Sequence, residues 1–470
     1  MSAAAPLGPA DTHAAPATPP GRSGDRWWRM LGLDLVTALS LLVLVLFGIP
    51  ATLVVGPLGA AGTPANILGL LMLGVWTVNE LYRVHLGFLD TAIRRALFVW
   101  LLADLASYVM AVSRPISTKE LNSSDRLMIS LCAWVGVLLA CGGIRSWDRL
   151  VALTRRVVLG GGLVALLGLA QAATHQVLVN VIQIPGLTSN STDNGFVERA
   201  GFLRPSGTAT QALEFGIVLT AVLPLAVHHA VTDRQLSWFR RLWPLLAIGA
   251  AIPVSLSRSA VLGTLVAFVV ILPTWPRQHR RIAYGALLAA VGLVYVSVPG
   301  LVEAILSQFG LMGKDNSISS RTDSYSLVLS LFAKSPLIGR GLGTFIPDYR
   351  IVDNQLLLIL VEAGLVGLLA FLGLIAAAAR TGLRGRRRLA DPDRRSLLTA
   401  LVASLLAAAI CFATIDAFAF PMLSVTVFLV MGCIDAAWRM ASQPAVPGEP
   451  VPGEPAVGEP VPGESAEARA

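Results

Sequence analysis

The chain has 470 residues, of which 55% are hydrophobic and 14% are charged, and its formal net charge is +8. Soluble globular domains carry about 25% charged residues, so this composition excludes an ordinary soluble protein. Nucleic acid is not indicated either, because the basic residues lie in short segments between apolar stretches of bilayer-spanning length.

The apolar stretches predict an all-α, polytopic membrane bundle of about twelve transmembrane helices. Residues 1–30 are predicted to form a disordered N-terminus, and residues 31–438 are predicted to form the membrane domain. Residues 439–470, which are rich in Pro, Gly and Glu, are predicted to form a disordered tail. The predicted spans lie near residues 31–50, 65–78, 96–112, 127–142, 155–173, 208–230, 242–254, 259–274, 282–300, 353–378, 396–414 and 420–438.

The placement of arginines predicts the orientation of these spans. Alternate connections are rich in Arg, which is typical of cytoplasmic loops, and both termini are then predicted to be cytoplasmic. Two long loops, at about 174–207 and 301–352, fall on the outer side. We expect short amphipathic helices in the second loop, for example at residues 324–337, and we expect binding and chemistry on these outer loops.

Three arginines stand near the outer boundary, where this rule predicts few. They are Arg204, Arg258 and Arg321. The guanidinium group of arginine binds phosphate oxygens through several N–H donors in one plane. Three arginines at the same depth in the membrane could therefore bind the diphosphate of a lipid. The alternative for Arg204 and Arg321 is that they extend to the interface or pair with acids such as Glu198 or Asp323.

Polar residues also mark the start and the interior of the apolar stretch 353–378. Asp353 and Asn354 open it on the outer side, and Glu362 follows roughly 12 Å deeper on a helix. A carboxylate at that depth needs a polar cavity or a structural hydrogen bond.

Just upstream, the sequence IGRGLGTF (338–345) contains Gly341 and Gly343. This loop either supplies backbone N–H groups to an anion or forms a plain turn. We treat both glycines, together with Glu362, as supporting residues of the candidate site.

The chain resembles the O-antigen ligase and polysaccharide polymerase superfamily, integral membrane glycosyltransferases of bacterial envelopes, in an ordered set of motifs. These are RPSGT (204–208), SLSRSA (255–260), SSRTDSY (319–325), GRGLGTF (339–345) and DNQLLLILVEAGLVG (353–367). The resemblance implies that a glycan passes from an undecaprenyl-diphosphate carrier to an acceptor hydroxyl on the outer face of the bacterial cytoplasmic membrane. It implies neither a metal nor another cofactor.

The family's diphosphate-binding arginines match Arg204, Arg258 and Arg321. Family ligases usually carry His-Asn where this chain has Asp353-Asn354, and that histidine is their proposed general base. We therefore predict Asp353 and Asn354 as catalytic residues, with Asp353 as the base, since burial can raise a carboxyl pKa toward the working pH. Alternatively, Asp353 positions the acceptor or the chain has lost activity. The departure favours a polymerase or a divergent transferase over a ligase. A chain-length regulator is a candidate partner.

Two other classes fit a multi-span protein. One is a transporter or flippase for a lipid-linked oligosaccharide or a small anion, which should show internal repeats and broken helices at the midplane. The two halves show no convincing repeat, and the charged candidates lie near one face. The other is a peptidoglycan polymerase of the division and elongation class, which also uses outer-face carboxylates.

Overall fold

The structure is a computed structural model of the chain. It describes residues 35–81, 89–190, 198–199, 202–297 and 326–442. The predicted N-terminal segment 1–30, the tail from residue 443 onward and Arg321 therefore lie outside the described residues.

The described chain is mostly α-helical. The helices are α1 (Leu35–Gly48), α2 (Pro64–Leu81), α3 (Ala92–Val112), α4 (Thr118–Ala140), α5 (Trp147–Thr174), α6 (Ala212–Thr232), α7 (Trp238–Val254), α8 (Arg258–Ile271), α9 (Arg277–Ser297), α10 (Gln355–Glu362), α11 (Gly364–Arg388), α12 (Pro392–Cys411) and α13 (Pro421–Ala441). Residues 326–332 are also helical. The prediction of a mainly helical membrane bundle is confirmed.

Four short strands form two antiparallel pairs outside the helices. They are β1 (Leu53–Val54) with β2 (Thr188–Ser189), and β3 (Glu198–Arg199) with β4 (Phe202–Leu203). The pair of β1 and β2 links the connection after α1 to the connection after α5 by backbone hydrogen bonds. It therefore closes one end of the bundle.

Seven helices among the described residues are long and apolar enough to cross a membrane. They are α3, α4, α5, α6, α11, α12 and α13. An eighth span results if Gly56–Gly62 and α2, which are bent by 79° at their junction, count as one. A helix overlaps each of the predicted spans, but several are too short by this criterion. The predicted number of about twelve is thus not confirmed.

The centre of the bundle is formed by α6 and α13, because nearly all of each helix is buried. Aromatic side chains fill the space beside α13: the ring centroid of Trp100 lies 5.5 Å from that of Phe371 and 5.7 Å from that of Phe428. Because so much of α6 and α13 is buried, both helices pack against protein and not against lipid on nearly every side. The remaining helices surround these two.

Ion pairs, one of them buried, hold the end of the bundle that is predicted to be cytoplasmic. Arg94 of α3 lies 3.1 Å from Asp435 of α13, and Thr91 donates a hydrogen bond of 2.5 Å to the same carboxylate. Arg155 of α5 binds both oxygens of Asp233 at 2.8 Å. These contacts tie α3 to α13 and α5 to the end of α6.

The span predicted at residues 353–378 is not one helix but two, α10 and α11. Gly364 has φ +67°, a left-handed conformation that glycine adopts without steric cost. The first N–H groups of α11 bind carbonyls outside the helix. Leu365 donates to the carbonyl of Pro336 at 2.9 Å, and Val366 donates to that of Leu337 at 3.1 Å. The break therefore lets the segment before the glycine-rich loop dock between the two helices.

We predict that Gly364→Ala lowers the thermal melting temperature of the purified protein in detergent. The substitution forces a left-handed alanine, at a cost of about 1–2 kcal/mol, and places a Cβ 2.3 Å from the carbonyl oxygen of Leu337. Gly373→Ala is the matched control, because its Cβ would meet nothing within 4 Å. Equal melting temperatures for the two variants would contradict this account of the break.

Candidate active site

Arg204 is fixed in the connection that leads into α6. Its Nε donates to the backbone carbonyl of Ser255 at 3.0 Å, in the turn between α7 and α8. Behind it, the Gln171 side chain of α5 accepts from the N–H of Gly207 at 2.8 Å and donates to the carbonyl of Gly207 at 3.2 Å. The guanidinium of Arg204 is therefore held against the α7–α8 turn.

Arg258 belongs to the same turn, because it is the first residue of α8 and follows Ser255 by three positions. The turn is closed by Leu256, whose φ of +47° is uncommon for a bulky residue. The N-terminus of α8 adds the positive end of a helix dipole beside Arg258. Arg204 therefore contacts the turn that leads into Arg258, and the third predicted arginine, Arg321, lies outside the described residues.

The α7–α8 turn is linked to the start of α10 through the end of α12. Ser259 and Thr414 lie 2.7 Å apart, hydroxyl to hydroxyl. The N–H of Gln355 reaches the carbonyls of Phe412 and Ile415, both at 2.8 Å. We call this the site end of the bundle: α7 and α12 end there, and α8 and α10 begin there.

The polar pair that precedes α10 lies at the site end. Asp353 is exposed. Asn354 caps α10, because its Oδ1 accepts from the N–H groups of Leu356 at 3.0 Å and Leu357 at 3.2 Å. Asn354, predicted from the sequence as a catalytic residue, therefore caps α10, and its part in the chemistry stays a prediction.

Asp416, between α12 and α13, is a candidate that the sequence analysis missed. Burial raises the pKa of Asp416 to about 6, and the neighbouring charge of Asp353 acts in the same direction. The N–H of Phe418 donates to the side chain of Gln355 at 2.7 Å, which holds this connection against α10. A carboxyl group with such a pKa can take up a proton near neutral pH, as a general base must.

Backbone N–H groups of the glycine-rich loop (338–345) donate hydrogen bonds to Glu362. The N–H of Phe345 donates to the Glu362 carboxylate at 3.1 Å, and the N–H of Gly343 also faces it. The N–H of Gly341 donates to the backbone carbonyl of Glu362 at 3.0 Å. The group that accepts from the loop is therefore a side chain of the protein itself, and the buried Glu362 side chain orders the loop backbone.

Glycine is required at both loop positions. Gly341 has φ +127° and Gly343 has φ +66°. A Cβ on Gly341 would lie 2.6 Å from the Cβ of Ala111 on α3, and one on Gly343 would lie 2.9 Å from the Cα of Ser124 on α4. The loop is thus pressed closely against both helices.

A cavity of about 640 Å³ also opens at the site end, beside β1 and β2. Its lining residues come from the connections after α1 and α5, and they are Pro50, Thr52, Leu53, Val179, Ile182, Gln183, Ile184, Pro185, Gly186, Leu187 and Ser189. Neither Arg204 nor Arg258 lines this cavity. The two arginines and the cavity are separate features of the same end.

Fold and site together define a multi-pass membrane protein with cations and carboxylates gathered at one end of a helix bundle. A family model described as O-antigen ligase matches residues 243–372. This match confirms the resemblance to the O-antigen ligase and polysaccharide polymerase superfamily and supports an enzyme of the glycan-transfer type. The comparison with curated proteins gives no match.

We predict that Asn354→Ser retains both stability and activity, because serine also caps helices. Asn354→Ala should lower the free energy of unfolding by about 1 kcal/mol through loss of the cap. Melting temperature and surface-glycan length, measured on the same variants, check this. An inactive Asn354→Ser variant with an unchanged melting temperature would instead show that the amide takes part in the chemistry.

Proposed function

We propose that the chain transfers a glycan from a polyprenyl-diphosphate carrier to an acceptor hydroxyl on the extracytoplasmic face of the bacterial cytoplasmic membrane. One observation carries this proposal. At the site end, the α7–α8 turn, which Arg204 contacts and which leads into Arg258, is joined to the start of α10 beside Asp353 and Asp416. The guanidinium groups suit a diphosphate leaving group. The carboxylates suit the acceptor hydroxyl.

The arginines stabilise the charge that develops on the carrier. When the bond between the anomeric carbon and the phosphate oxygen breaks, the electron pair stays on the diphosphate. Fixed cations stabilise that charge most in the transition state, and Arg204 is already held by the carbonyl of Ser255 at 3.0 Å. Arg321, carried by the outer loop 301–352, is proposed as a third cation. No metal or other cofactor takes part in this proposal.

A carboxylate accepts the proton of the acceptor hydroxyl as its oxygen attacks the anomeric carbon. Asp416 suits this role better than Asp353, because burial raises the pKa of Asp416 to about 6 and the most effective bases have a pKa near the working pH. Asp353 then acts as a neighbouring charge and as a contact for the acceptor. The acceptor is a growing glycan for a polymerase, which we favour, or a lipid-linked core for a ligase.

We predict that Arg258→Ala abolishes the surface polymer of the host strain while the protein level in the membrane stays normal. The reason is loss of a fixed charge at the leaving group, a kind of loss that typically costs on the order of 10²–10³ in rate. Arg240→Ala is the matched control, because Arg240 is exposed at the opposite end of the bundle. Normal polymer in the Arg258→Ala strain would remove the basis of the proposal.

We further predict a rate of glycan transfer that falls as the pH drops below about 6, because protonated Asp416 cannot act as a base. Asp416→Asn should reduce the rate by on the order of 10²–10⁴. Asp353→Asn should shift the acidic limb to lower pH, since it removes a charge that raises the pKa of Asp416.

The measurement is the pH profile of purified protein with a lipid-linked oligosaccharide in detergent. This preparation has a single compartment, so product formation also excludes transport as the sole function. If Asp416→Asn retains full activity and Asp353→Asn is inactive at every pH, the base is Asp353 instead.

A further inference from the structure

A second buried acid accompanies Glu362 inside the bundle. Asp104 of α3 is only 3% exposed, and its Oδ2 has no hydrogen-bond partner among the described residues. Glu362 of α10 is 7% exposed. Ser107, one helical turn from Asp104, donates to the backbone carbonyl of Glu362 at 2.7 Å, and the two carboxyl groups interact electrostatically.

Two neighbouring carboxylates in an apolar interior cannot both be ionised at moderate cost, so the pair binds at least one proton. The surroundings of the two groups differ. Glu362 receives the N–H of Phe345 at 3.1 Å and is faced by the N–H of Gly343, and such donors stabilise a negative charge. Asp104 Oδ2 receives no such donor in the described part of the chain. The proton therefore belongs on Asp104.

We propose that Asp104 is a positioning residue that stays protonated, so that its neutral carboxyl group permits Glu362 to remain ionised and to hold the glycine-rich loop. The inference rests on the proposed function only in its last step, where the loop is said to position Asp353. The shared proton itself is independent of any reaction.

An apolar cluster connects the glycine-rich loop to the segment that ends at Asp353. Phe345, which donates to Glu362, is buried together with Val328, Val352 and Leu358. Val352 is the residue before Asp353. A negative charge on Asp104 would repel Glu362, weaken its hold on Phe345 and so release the segment that ends at Asp353.

Charged groups on other elements also face Glu362. They are Arg340 of the loop and Asp416 of the connection between α12 and α13. Arg340 is itself engaged, because it donates to Glu120 of α4 at 2.7 Å. The charge of Asp416 adds to the repulsion that an ionised Asp104 would create.

Infrared spectroscopy of the purified wild-type protein tests the shared proton directly, since a protonated carboxylic acid has a carbonyl stretch distinct from that of a carboxylate. We expect this band in the wild type, its loss in Asp104→Asn and its retention in Glu362→Gln. The control is Asp148→Asn, an exposed aspartate at the opposite end, which should leave the band unchanged. Persistence of the band at full intensity in Asp104→Asn, or its absence from the wild type, would overturn the proposal.

Melting temperature and activity form the second arm. Asp104→Asn mimics the neutral acid, so it should retain both the melting temperature and the glycan-transfer rate of the wild type. Glu362→Gln turns an amide NH₂ toward backbone donors, so it should melt lower and lose about 100-fold in rate, the effect of a misplacement of about 1 Å. A rate lost equally in both variants overturns the positioning role. Because the infrared band needs no substrate, failure of the proposed reaction would leave it unchanged.

Discussion

The candidate site depends on the docking of the start of α10 against the connection between α12 and α13. Gln355 makes this contact with its backbone and its side chain: its N–H reaches the carbonyls of Phe412 and Ile415 at 2.8 Å, and its amide oxygen accepts from Phe418 at 2.7 Å. Residue 355 is 2% exposed, and in an apolar interior each of these backbone groups would otherwise be costly to bury. The contact sets Asp353 beside Asp416.

The connection between α12 and α13 also positions the arginines. Thr414 lies 2.7 Å from Ser259, hydroxyl to hydroxyl, and this contact fixes the start of α8. The carbonyl of Ser255, in the preceding turn, then receives Arg204. Residues that are far apart in the sequence therefore meet because helix ends satisfy one another's backbone groups. The positive and negative groups of the candidate site are assembled by this packing and not by one continuous motif.

Much of this arrangement could be predicted from the sequence, because apolar length and arginine placement report on the membrane. The helical bundle follows from those signals, and so does the position of Arg204 and of the α7–α8 turn at the same end of it. The break at Gly364 could not be predicted, since its positive φ depends on the docking of residues 336–337 about 30 positions upstream in the chain. Nor could the partner of the glycine-rich loop, because nothing local reveals that Glu362 turns back to meet it.

Asp416 escaped prediction for a related reason. It stands alone between two apolar spans, and its raised pKa comes from burial and from Asp353, both products of tertiary contacts. Asn354 shows the converse: its position next to Asp353 predicts chemistry, which stays a prediction, whereas the acceptance of two backbone N–H groups by its side-chain oxygen was not visible in the sequence. In each case the chemistry of the residue was visible and its surroundings were not.

Binding of undecaprenyl diphosphate to the purified protein tests the central claim, that two arginines held by one turn form a diphosphate site. The account predicts saturable binding to the wild type, weakening by about tenfold or more in Arg204→Ala and in Arg258→Ala, as loss of a charge-assisted contact implies. The double variant should lose less than the product of the two single losses, because both groups contact one ligand. Equal affinity in the wild type and the double variant would contradict the account.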